Sequence, residues 1–216
     1  MTTWHRNTDH YARTIMPTIS LTRNPVPAAW LAREPVSVDQ IMNLTPDQER
    51  RMVCIHEAAH AIMYMAYGHR IESVIVHDDQ DAHRCKAEVI PAPAYGEWPE
   101  FALYSACGER ASDRWLREAG LWTPERAWAV EREAGRDREQ TAEYVQLGAH
   151  TTMTYGSAGR EHTDYAVIGD QADVMLDRLW SKVGDLAAHL FEHSTADTAT
   201  AERVAGLNLA GSADTL

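Results

Sequence analysis

Thr45-Pro46-Asp47-Gln48-Glu49-Arg50-Arg51-Met52-Val53-Cys54-Ile55-His56-Glu57-Ala58-Ala59-His60-Ala61-Ile62-Met63-Tyr64-Met65-Ala66-Tyr67-Gly68 is the stretch on which the reading of this chain turns. Thr45 can cap a helix, Pro46 suits the first helical position, and Gln48 stands where a capping box needs Glu or Gln. Asp47 and Glu49 favour the positive end of the helix dipole. Apolar residues then recur with helical spacing at Ile55, Ala58, Ala59, Ile62, Met63 and Ala66, and Gly68 ends the run. The pattern predicts a long, half-buried helix. At its middle lies His56-Glu57-Ala58-Ala59-His60, an H-E-x-x-H sequence.

Residues four apart on a helix lie one above the other, so His56 and His60 can offer two imidazole nitrogens to one metal ion. Glu57 lies one step round the helix, placed to take a proton from a metal-activated water rather than to bind the metal. Zinc suits the pair, because it accepts imidazole in a tetrahedral arrangement and keeps one position open in catalytic sites. Two histidines without a metal are the plain alternative, and the rigid, well-bounded helix argues against it. A third protein ligand has to come from elsewhere.

The extended metzincin motif is excluded, since the Gly and His it needs beyond the second histidine are Met63 and Ala66 here. His69 lies past the helix end. Glu109 with Asp113 forms an E-x-x-x-D pair of the thermolysin kind, but much farther along the chain than in those enzymes. Asp137, in Gly135-Arg136-Asp137-Arg138-Glu139-Gln140-Thr141-Ala142, is a third option.

The chain has 216 residues, 44% hydrophobic and 24% charged, values of an ordinary globular domain. Its 20 Lys and Arg stand against 32 Asp and Glu, a formal net charge of −12. Such an acidic surface repels phosphate backbones and anionic lipid, so neither a nucleic acid nor a membrane surface is an expected partner. The N-terminus has no signal-peptide core, and no run is long and apolar enough to span a bilayer. Cys54, Cys85 and Cys107 are odd in number and widely spaced, which suits a reducing cytoplasm better than a disulfide framework. The expected location is cytoplasmic.

Residues 1–44 carry Pro17, Pro25, Pro27 and Pro35 and read as an extended arm with a short helical turn around Trp30 to Arg33. A loosely packed tail, a propeptide and a substrate-docking segment all fit that pattern. After the motif helix, β-branched Ile71 to His77 and then Cys85 to Ile90 read as one hairpin. Helices follow from about Glu100 to Gly120, from Thr123-Pro124-Glu125, from about Arg136 to Leu147 and from about Thr163 to His193. A loop covers residues 151–162, and a short last helix lies around Ala201 to Ala205. The fold class expected is mainly α (α+β), a helical zincin-like bundle with one small hairpin after the active-site helix. Cys54 points away from the histidine face, and Cys85 is a packing residue unless it serves as a latency switch. His77, His83, His150 and His162 read as solvated histidines, with a part in steadying an oxyanion as the sharper alternative. Trp115, Trp122, Trp128 and Trp180 read as core and rim aromatics.

Thr45 to Val76 resembles the peptidase domain of the FtsH-type ATP-dependent zinc proteases, with a charged helix start, then H-E-A-G-H-A, then a β-branched strand. Asp137-Arg138-Glu139-Gln140-Thr141-Ala142 is similar to that family's N-D-L-x-x-A-T segment. Cys107-Gly108-Glu109-Arg110-Ala111-Ser112 is similar to its G-G-R-A-A-E helix, and the last long helix, with Trp180, Val183, Leu186 and Ala187, to its C-terminal pattern. The resemblance spans about residues 45–205 and is sharp only at the zinc motif. Ala59 stands in place of the family's glycine, and the acidic pair is displaced to Ser112 and Asp113. What the resemblance implies is a zinc metallopeptidase, with Zn2+ held by His56, His60 and Asp137, ahead of Glu109, and with Glu57 as general base.

On this reading residues 1–44 are the arm, 45–205 the peptidase domain and 206–216 a flexible tail. No ATPase module lies in the chain, so the domain implied does not itself unfold and thread substrates. The expected partner is a protein or peptide substrate that adds as a strand along Ile71 to Val76; a homo-oligomer, or an ATPase acting in trans, is compatible. Two alternatives remain open, a non-catalytic zinc-containing regulatory module and a zinc hydrolase of a non-peptide amide. Retention of Glu57 argues against the first, because a purely structural metal has no use for a general base.

Overall fold

The computed structural model describes residues 3–8, 19–32, 36–79, 84–92, 96–156 and 161–207. In chain order the elements are β1 (His5–Thr8), β2 (Ile19–Thr22), α1 (Val38–Met42), α2 (Pro46–Ala66), β3 (Ile71–Asp79), β4 (Arg84–Pro91), α3 (Trp98–Glu118), α4 (Pro124–Glu133), α5 (Gly135–Ala149), α6 (Tyr165–His193), β5 (Thr195–Asp197) and α7 (Thr198–Ala205). The fold is mainly α with small antiparallel sheets, as the periodicity predicts.

The capping box at the head of α2 is formed in full, with Thr45 accepting from the Gln48 backbone and Gln48 accepting from the Thr45 backbone. Ala58, Ala59, Ile62, Met63 and Met65 are sealed from solvent. They pack α2 between α3 and α6 in the main core, which takes in Ile168, Leu176, Leu186 and Leu190 from α6. Ile62, Met63 and Met65, each worth about 1.5–3 kcal/mol of transfer free energy, make α2 the anchored element of the molecule. α3 and α5 approach closely at Gly148, where a Cβ would lie 2.2 Å from Trp98 Cβ. No helix among the described residues is long and apolar enough to cross a membrane.

β1 and β2 pair antiparallel, from His5 with Thr22 to Thr8 with Ile19. The hairpin is fastened by polar bonds that no hydrophobic pattern announces. Asn7 is buried and accepts from Trp128 Nε1 at 3.1 Å, and the Arg23 and Asn24 backbones donate to Glu131 at 2.6 and 3.2 Å. A turn at Trp30 is present, its amide donating to the Pro27 carbonyl. α1 then packs on α4 in a second, smaller core containing Met42, Met52, Leu116, Trp128 and Val130. His83, Pro17, Arg33 and residues 208–216 lie outside the described residues.

The hairpin expected at Ile71 is the larger part of a three-stranded sheet in the order β4-β3-β5. β3 is therefore the central strand. β4 pairs along one side of it, and β5 pairs with Ser73, Val74 and Ile75 on the other. The Val76 amide donates to the Ser194 carbonyl, and the Thr198 hydroxyl to the Ile71 carbonyl. The open edge expected at Ile71 to Val76 is thus closed, because the chain beyond α6 turns back and saturates it. Among the described residues, nothing pairs with the outer side of β4.

Candidate metal centre

α2 carries His56 and His60 on the side facing α3, and the first turn of α5 brings Asp137 to the same place. The two Nε2 atoms are 3.1 Å apart, and Asp137 Oδ2 lies 3.1 Å from that of His56 and 3.5 Å from that of His60. Ligand atoms about 2.0–2.1 Å from a tetrahedral zinc ion stand about 3.3–3.4 Å from one another. The triangle therefore has the dimensions that a single ion requires. Among the described residues, no other group of three such side chains converges in this way.

The hydrogen bonds behind the triangle fix which ring nitrogens face it. His60 Nδ1 is 2.7 Å from the Tyr104 carbonyl, which only accepts, so Nδ1 carries the proton and Nε2 presents its lone pair in the neutral ring. His56 Nδ1 is 3.2 Å from the Ser112 hydroxyl, which can accept from it in the same way. Three electron-rich atoms held this close repel one another unless a proton or a metal ion sits among them. The electrostatics express this directly. Burial opposes a charge on His60, but the Asp137 carboxylate outweighs it and raises the imidazole well above its ordinary range. Burial likewise pushes the Asp137 carboxyl up, and His60 and His56 overcome it and hold the group well below the usual carboxylate range.

Gly108 supplies the space. It lies in the middle of α3, where a Cβ would fall 2.4 Å from His60 Nε2 and 2.6 Å from His56 Nε2. Any side chain there would drive into the two Nε2 atoms that would face an ion. Glycine inside a helix costs about 1 kcal/mol relative to alanine, and this contact is the reason for its presence. The readable signal in the sequence was a glycine interrupting a good helical pattern.

Glu109 does not join the triangle. Its carboxylate is sealed from solvent and taken up by Arg138 at 2.6 Å, Arg23 at 3.0 Å and the Tyr165 hydroxyl at 2.8 Å. Arg138 also holds the buried Glu131 at 3.0 Å and donates to the Leu21 carbonyl. This network of two carboxylates and two guanidiniums ties β2, α3, α4 and α5 together immediately behind Asp137. Asp113, mostly covered, is bound by Arg117 and the Trp122 indole instead.

Glu57 and His56 both line a hollow of about 270 Å3, together with Ala87 of β4 and Ser112. His69 stacks on Phe101, with centroids 5.4 Å apart, and faces Glu100; His77 is exposed beside Glu88. His150 ends α5 in a left-handed conformation, and His162 lies against Trp98. Cys54 is buried in the core. Cys107 is also buried, with its thiol donating to the Tyr104 carbonyl at 3.0 Å.

No known family model matches the chain, and no curated protein has a matching sequence.

Proposed function

We propose that the chain is a zinc-dependent metalloendopeptidase that works without ATP on its own. The observation that carries this reading is the triangle of His56 Nε2, His60 Nε2 and Asp137 Oδ2, with edges of 3.1 to 3.5 Å and an H-E-x-x-H glutamate beside it. His56, His60 and Asp137 are the residues that would hold the ion. When bound, zinc supplies a water acidic enough to ionise near neutral pH and a Lewis acid for the scissile carbonyl.

The remaining chemistry belongs to side chains of this protein. Glu57 accepts the proton of the attacking water and delivers it to the departing amine nitrogen. The backbone carbonyl of Tyr104 and the Ser112 hydroxyl keep the two imidazoles oriented, a function that typically affects metal affinity ten- to a hundredfold. With β3 saturated on both sides, the edge strand placed to receive an extended substrate at this hollow is β4, whose Ala87 lines it together with Glu57. A substrate-analogue complex without backbone pairing to β4 would remove that part of the reading.

Glu57→Gln is the direct test. An enzyme of this kind keeps its zinc and loses turnover by two or more orders of magnitude, with protein or peptide substrates accumulating in a proteomic comparison with wild type. Zinc retained by both proteins with no turnover by either would return the chain to a binding module, and equal activity of the two would remove Glu57 as the general base. Cleavage restricted to non-peptide amides would make it a hydrolase of another class.

A further inference from the structure

The N-terminal arm meets the metal centre from behind, through Arg138, the residue after Asp137. The Leu21 carbonyl of β2 accepts from Arg138, and the Trp4 ring centroid stands 5.8 Å from the guanidinium carbon. Asn7 of β1 donates to the Thr22 hydroxyl of β2 at 2.8 Å, which locks the two strands together.

The arm also shares both carboxylates that hold Arg138. Glu109 gives Oε2 to Arg138 at 2.6 Å and Oε1 to Arg23 at 3.0 Å. Glu131 gives Oε2 to Arg138 at 3.0 Å and to the Arg23 amide at 2.6 Å. Its Oε1 accepts from the Asn24 amide at 3.2 Å and from the Asn24 side chain at 2.6 Å. The Arg23 side chain is 23% exposed and that of Arg138 7%, so the arm forms the outer half of this network and α5 the inner half. Without the arm, two buried carboxylates would surround one guanidinium, and acceptor atoms on both would lose their donors. Buried acceptors without donors are costly. A shift of Arg138 is what relieves them, and at the first turn of α5 it carries Asp137 along.

We propose that the N-terminal arm is part of the metal centre, with Arg23 as a positioning residue that acts on Asp137 through Glu109 and Arg138. Docking of β1 and β2 and binding of the ion then strengthen each other by one and the same factor, and whatever lifts the arm loosens the metal. This rests on the ligand set of the reading above and not on the reaction.

The experiment uses the full chain and measures zinc affinity by chelator competition. Arg23→Ala should weaken binding about tenfold, the low end of what the outer partners of metal ligands contribute. Arg23→Lys, which keeps a cation beside Glu109, should recover most of the loss. In an Asp137→Ala background Arg23→Ala should have no further effect, because residues that act in series are not additive. An equal loss in both backgrounds marks general destabilisation and overturns the proposal. Should Arg23→Ala fail to fold, hydrogen exchange of wild type decides alone. Saturating zinc should slow the amides of β1 and β2 by the same factor of about ten, while α7, which packs on α6, β5 and β3, keeps its rates. Arm exchange indifferent to zinc, or a slowing that α7 shares, overturns the coupling and leaves the metal centre intact. Wild type that takes up no zinc overturns both.

Discussion

Arg138 donates from Nε to Glu109 Oε2 across 2.6 Å, with both side chains closed off from solvent, and Arg138 directly follows Asp137 in α5. The carboxylate that once rivalled Asp137 as a ligand thus holds the neighbour of Asp137 in place. Removing one partner of a buried ion pair costs about 3–5 kcal/mol. Glu109→Ala should therefore lower the urea midpoint and, by loosening the first turn of α5, reduce zinc affinity in a chelator competition. Wild-type values for both would show that Arg138 does not position Asp137.

Gly108→Ala separates helix stability from site geometry. Alanine is the better helix former by about 1 kcal/mol, yet its Cβ would stand 2.4 Å from His60 Nε2. The expected protein has wild-type helicity by circular dichroism and little or no bound metal. A fully zinc-loaded Gly108→Ala protein would refute the account of why glycine stands there.

Glu131 gives a pH dependence whose sign can be worked out. Burial and the neighbouring Glu109 push its carboxyl from an ordinary 4.5 up to about 7, against the bonds from Asn24 and Arg138. The folded state therefore holds this proton more tightly than the unfolded state. Its contribution to stability is complete below about pH 4.5 and is lost as pH rises to about 7. The unfolding midpoint of wild type should fall across that interval relative to Glu131→Gln, which has no proton to release. Parallel midpoint curves for the two proteins would contradict this assignment.

α2 was legible because its punctuation is local: Thr45, Pro46 and Gln48 begin it, Gly68 follows it, and its buried face has the helical period. The helices after residue 96 were legible for the same reason. β1, β2 and β5 were not, since four-, four- and three-residue strands have too few positions for an alternating pattern, and their pairing is settled by distant residues. The docking of the arm escaped notice because polar groups fasten it, Asn7 to Trp128 and Arg23 to Glu109 and Glu131. Likewise Glu109, Glu131 and Arg138 look in sequence like solvated helix residues, and only packing shows that they are interior. Of the site, His56, Glu57 and His60 follow from helix geometry. Asp137 came from a resemblance, because no local pattern can place a residue of α5 beside one of α2.

That separation between α2 and α5 bears on how the protein is made. A nascent chain carries both histidines long before Asp137 leaves the ribosome, and it then holds only two corners of the triangle. The third corner arrives with the first turn of α5, once α3 is in position to receive it. The cluster is thus a checkpoint of tertiary assembly, and a fragment ending before α5 has no means of completing it.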